Sequence, residues 1–234
     1  MTPSRASALA RPAEPLPEAL RGRCECEFCR QGVTTTLHAD PSHDQRLVQQ
    51  FTVGAAELRI VGGTTKCARV ALAYALTHPD AFAGRRVLEL GAGSGLVAVG
   101  LAVGLGCDVT ATDQEPVLDL LQANIDQNTD PAHHRVRAAA LQWGEPVDAW
   151  PRYDLIVGAD LNFARENMAP LLATLCALAR DPAQAIVYAS VRRAAWESEF
   201  FEALERAFAA ERLAEVDEIQ VHRYVRRPGP PSAL

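Results

Sequence analysis

The residues best equipped for chemistry stand at the ends of successive apolar runs. The first run, Val87-Leu88-Glu89-Leu90, enters Gly91-Ala92-Gly93-Ser94-Gly95, with glycine at every second position. Residues without a Cβ let a chain turn sharply and let a ligand press against the backbone. A dinucleotide fingerprint wants a small residue three places after its second glycine. Leu96 holds that place, so the pattern is E-x-G-x-G-x-G and points away from a pyrophosphate. Asp113 follows Gly91 by 22 residues, at the end of the next apolar run. An acid roughly 20 residues after such a turn meets ribose hydroxyls. Trp143 follows a third run and offers a flat face and a backbone N–H to an adenine. Asp160 closes a fourth run, near where reacting atoms would meet, and Glu89 is placed to hold an amino group.

Each residue also has a plainer reading. Glu89 could be a strand-end charge, Asp113 a helix N-cap, Trp143 a packing residue and Asp160 a turn acid. Four strand ends converging on one crevice is the arrangement of a doubly wound sheet, where ligands sit beyond the carboxyl ends of the strands. The loop then reads as a cradle for S-adenosylmethionine.

The elements that must position these groups follow from periodicity. Segments 87–90, 107–113, 136–142, 153–158 and 185–190 read as strands. Helical patterns at 96–106, 115–128, 166–180 and about 194–212 alternate with them. Such alternation predicts a mostly parallel sheet covered on both faces. Two final strands, 213–216 and 219–225, have no helix between them and predict an antiparallel partner at the sheet's end. Residues 51–53 and 58–61 predict a β-hairpin around Gly54-Ala55, followed by a helix over 68–76. The fold class is thus α/β: a Rossmann-like, doubly wound, seven-stranded sheet with an antiparallel C-terminal strand and an N-terminal extension with β-hairpin. Residues 1–45 lack a sustained period and read as the extension, 46–226 as the ligand-binding domain and 227–234 as a disordered tail.

Bulk properties narrow the partners. An apolar content of 48% supports a proper core, and a net charge of −6 argues against a global grip on nucleic acid. Apolar runs fall short of the ~18 residues a membrane span needs. The start, Met1 to Pro17, shows no secretory pattern, and the cysteines are few for the length. A cytoplasmic, reduced protein is expected, monomeric, with no nucleic acid or membrane partner. Cys107 and Cys176, in apolar stretches, are expected as buried thiols.

With these residues placed, the chain resembles the class I, seven-β-strand methyltransferases. More particularly it is similar to the eukaryotic protein-lysine methyltransferases of methyltransferase family 16. The resemblance is carried by Thr112-Asp113-Gln114-Glu115 with Leu120 to Asn128, by Leu141-Gln142-Trp143-Gly144-Glu145, by Tyr153 to Asp160 and by Met168 to Leu175, and covers about residues 47–226. It implies S-adenosyl-L-methionine as cofactor and a lysine of another protein as acceptor. It implies cofactor contacts at Gly91, Ala92, Gly93, Asp113, Trp143 and Ala159, and Glu89 and Gln114 are expected beside them. The group's acidic-x-x-aromatic motif reads Asp160-Leu161-Asn162-Phe163 here, implying catalytic roles for Asp160 and Phe163. Phe163 replaces a usual tyrosine, and Asn162 an apolar residue. Ahead of the glycine loop, Lys66 occupies the aligned place of a tryptophan that packs near the cofactor, which puts Lys66 among the cofactor contacts.

Two further readings come from the residues. Cys24, Cys26 and Cys29, with His38 and His43 downstream, form a C-x-C-x-x-C cluster. Tetrahedral structural zinc needs about four N/S ligands, but the spacing is not a standard pair and no metal is expected. Alternative functions on the same fold are a small-molecule methyltransferase, with residues 1–60 as a lid, and a non-catalytic cofactor-binding module.

Overall fold

The computed structural model describes residues 35–39, 47–191 and 195–228. The three cysteines of the N-terminal cluster and the tail beyond Pro228 lie outside the described residues, as does His43.

The central element is a seven-stranded sheet in the order β6-β5-β4-β7-β8-β10-β9. Its strands are β4 (Arg86–Leu90), β5 (Asp108–Asp113), β6 (Arg135–Ala140), β7 (Leu155–Ala159), β8 (Ala185–Ser190), β9 (Phe208–Val216) and β10 (Ile219–Arg226). The inner strands β4, β7 and β8 are apolar nearly throughout and buried, as strands covered on both faces must be. β4, β5, β6, β7 and β8 pair in parallel. β10 runs antiparallel to both β8 and β9, so the expected antiparallel partner is present, inserted one place in from the edge.

Helices cover both faces. α1 (Lys66–Thr77), the short α2 (Pro79–Phe82), α3 (Leu96–Leu105) and α4 (Leu118–Asn128) enclose one core with Val87, Val109 and Val157. α5 (Met168–Leu178) and α6 (Ala195–Ala207) enclose the other with Leu88, Leu90, Ile156 and Tyr188. α3 is apolar all round and buried along its first two turns, the pattern of a helix with no solvent face. A second sheet, β1 (Thr35–Ala39), β2 (Leu47–Val53) and β3 (Ala56–Val61), is antiparallel. The expected hairpin is its β2–β3 pair, turning at Gly54-Ala55. β1 is an added strand, which a five-residue run without a clear period could not announce.

Two differences stand out, and the first has a physical cause. α6 ends at Ala207, and 208–212 is strand. Ala209 to Arg212 are good helix formers, but each pairs with β10, and tertiary pairing overrides a weak propensity. Cys107 is buried as expected, whereas Cys176 is half-buried; with Cys67 both are free thiols.

Candidate active site

The strand order reverses between β4 and β7. Just beyond their carboxyl ends lies a cavity of about 290 Å³, lined by Gly91, Asp113, Trp143, Ala159, Asp160 and Phe163 among others. A smaller cavity of about 70 Å³ adjoins it across the glycine loop and shares Gly91, Gly93, Thr65 and Ala159.

The glycine loop is fixed from below. Ala92 N–H donates to the Thr112 carbonyl (2.9 Å), and the Thr112 hydroxyl donates to the Glu89 carbonyl (2.6 Å). Gly91 has φ +60, and a Cβ there would meet Leu161 Cδ2 at 2.7 Å. Gly93 has φ +55 and open space where its Cβ would be, so the turn leaves room beside it for a ligand. The Gly93 N–H donates to Asp113 Oδ2 and the Gln114 N–H to Oδ1, each at 2.7 Å. The Asp113 carboxylate is therefore oriented by two backbone amides at the cavity wall. Each oxygen keeps a lone pair for a further donor, the requirement for holding a pair of ribose hydroxyls.

Glu89 lines the smaller cavity and is 3% exposed, and its Oε2 has no hydrogen-bond partner. Burial pushes its carboxyl up to about 8; the Ala98 backbone amide opposes this and the Asp113 charge adds to it. A buried acceptor without a donor costs free energy, and a ligand ammonium would relieve that cost. Trp143 and Phe163 stand at the mouth with ring centres 6.5 Å apart and planes tilted by 53°. Phe163 is 65% exposed. The Trp143 loop is held by Gly144 N–H donating to the Thr174 hydroxyl (2.8 Å). Asp160 has φ +60, a left-handed conformation that aspartate and asparagine adopt more readily than other non-glycine residues. Its N–H donates to the Ala189 carbonyl (2.9 Å).

The residues expected to contact cofactor or to be catalytic all line one cavity or the other, except Lys66. Lys66 opens α1 with an exposed side chain. Thr64 and Thr65 line the site instead. Thr65 is the N-cap of α1 and accepts from the Ala68 N–H (3.1 Å), which makes the next residue the first of the helix. Sequence reasoning also passed over Asn124. Buried in α4, it accepts from the Val61 N–H (2.9 Å) and donates to the Val61 and Ser94 carbonyls (2.8 Å each). It thereby ties the 61–65 segment to the glycine loop. Its place among apolar residues at helical spacing was the available signal.

This α/β architecture, with a nucleoside-sized cavity at its reversal point, is that of a methyltransferase. Solved structures sharing it include the 16S rRNA methyltransferase RsmC of T. thermophilus (23% identical, TM-score 0.59, covering 81% of this chain and 53% of that one). A TehB-like methyltransferase of Corynebacterium glutamicum is another (20% identical, TM-score 0.51, 71% and 90% covered). The chain belongs to the lysine methyltransferase family, whose model matches residues 60–207. Relatives include the Danio rerio protein N-lysine methyltransferase METTL21A, 46% identical over 95 residues, 39% of this chain and 43% of that protein. The Mus musculus EEF1A lysine methyltransferase 3 is 40% identical over 121 residues, 51% of each. The matched part of the chain spans about half the length of these relatives.

Among the described residues, no group of three or more His, Cys, Asp or Glu could hold a metal, and no helix is long and apolar enough to cross a membrane.

Proposed function

We propose that this protein transfers a methyl group from S-adenosyl-L-methionine to a lysine side chain of another protein. The observation that carries the reading is one cavity, at the carboxyl end of β4, bounded by an amide-oriented Asp113, the glycine loop and Trp143. These residues fit the cofactor: an open glycine cradle, an acid with spare acceptor capacity and a buried carboxyl oxygen without a donor. S-adenosylmethionine, when bound, supplies a methyl already activated on a sulfonium.

The chain's own residues then have three tasks. Asp113 holds the ribose and Glu89 the amino group, with Trp143 beside the adenine. Asp160 orients the incoming amine, and its charge favours the protonated form, so orientation is its first role. A lysine amine, with an ordinary pKa of about 10.4, must lose its proton to act as a nucleophile. Removal from water as the amine passes into the cavity lowers that pKa, and the exposed Phe163 ring at the entrance attracts the cation as it arrives. Alignment of this kind can contribute roughly 7–11 kcal/mol.

The acidic net charge supports action on protein rather than on nucleic acid, and we place the protein in the cytoplasm as a monomer without a membrane partner. Isothermal titration with S-adenosylhomocysteine tests the cofactor reading: one equivalent is expected to bind, and no binding by folded protein overturns it.

A further inference from the structure

Asn162 lies between two lining residues, Leu161 and Phe163, yet is fully buried and does not line the cavity itself. Its amide joins three segments. Nδ2 donates to the Val191 carbonyl (2.8 Å), beyond β8, and to Glu197 Oε1 (2.5 Å) on α6. Oδ1 accepts from the Tyr188 hydroxyl on β8 (2.7 Å). Glu197 and Tyr188 are each 1% exposed. A buried polar network whose members are paired specifies one arrangement of the chain around it.

The segment it holds turns sharply. Asp160, two residues earlier, is left-handed at φ +60, a conformation uncommon outside glycine that the surroundings must hold in place. The backbone bond to Ala189 and the Asn162 amide bracket this residue. The cofactor-side groups Gly91, Gly93, Asp113 and Trp143 sit on other elements, after β4, β5 and β6.

We propose that Asn162, fastened by Glu197 and Tyr188, is the positioning residue of the acceptor side. It fixes the 160–163 loop so that Asp160 and Phe163 meet the incoming amine, and it does so without touching cofactor or substrate. The inference rests on reading this cavity as a methyl-transfer site. It extends that reading by making α6, which does not line either cavity, part of the machinery that sets the transfer rate.

The test compares wild type with E197A, E197Q and Y188F in three measurements. They are S-adenosylhomocysteine affinity by titration, amide hydrogen exchange of residues 160–164, and transfer of tritiated methyl from S-adenosylmethionine into one fixed lysate fraction. E197A is expected to keep the affinity within about twofold while exchange in the loop rises about tenfold or more. Transfer is expected to fall on the order of 100-fold, as a misplacement of about 1 Å would give. E197Q keeps an acceptor for Nδ2 and is expected to stay near wild type. Y188F leaves Oδ1 unpaired and is expected to fall between them. Should E197A unfold, the E197Q and Y188F pair carries the same comparison. Loop exchange in E197A and Y188F equal to wild type, or affinity lost in parallel with transfer, overturns the proposal. Wild type that labels no protein overturns the functional reading instead, and loop exchange alone then decides whether the network holds the 160–163 segment.

Discussion

Glu89 holds an ionisable carboxyl almost fully out of water. Its folded carboxyl, pushed up to about 8 from an ordinary 4.5, keeps a proton over a pH range in which the unfolded chain has released it. Stability contributed by this group therefore falls as pH rises from about 4.5 to about 8. E89Q is expected to flatten that slope, so that the variant gains on wild type towards pH 8. Urea unfolding at several pH values checks this, and parallel wild-type and variant curves would contradict it. Asp113 carries the opposite lesson, since its two amide bonds orient a carboxylate before any ligand arrives. D113A is expected to weaken S-adenosylhomocysteine binding about 10–100-fold, the loss of hydrogen bonds to a charged group, as titration would measure. These residues were legible in the sequence because a strand end followed by glycine or an acid is a local signal. Lys66 was misleading because its place depends on where a helix begins, and the Thr65 cap decides that.

At the scale of elements, the strands and helices of the central sheet were legible because the innermost strands β7 and β8 are near-continuous apolar runs and short strand-like segments alternate with helical periods. The end of α6 was not, because Ala209 to Arg212 satisfy a helix until β10 offers them a ladder. β1 was not, because its pairing with β2 is a long-range fact written in neither segment alone. The tie between the N-terminal sheet and the glycine loop is of the same kind. Asn124 reaches across more than sixty residues to Val61, and Asn128 does likewise to Arg59. Removing Asn124 strands buried backbone groups on Val61 and Ser94. N124A is expected to cost about 2–3 kcal/mol in urea unfolding and to weaken cofactor binding, because the 61–65 segment lines the site. Unchanged stability would show that the tie carries no weight.

For the molecule as a whole, the site joins elements from both halves of the sheet. The glycine loop, Asp113 and Trp143 come from one side of the strand reversal, and Asp160 and Phe163 from the other. A ligand bridging them binds the folded state alone and stabilises it by mass action. S-adenosylhomocysteine at 100 times its Kd is expected to add about 2.7 kcal/mol. That raises Tm by about 5–10 °C for a chain of this size, as a thermal melt would record; a Tm that does not move would contradict it.

The most direct measurement of the central claim follows the methyl group itself. Purified protein is incubated with tritiated S-adenosylmethionine and a lysate, and labelled material is hydrolysed to amino acids. Radioactivity in methylated lysine, lost in D160A, is the predicted result. Label confined to small molecules, or absent while S-adenosylhomocysteine binds, would contradict it.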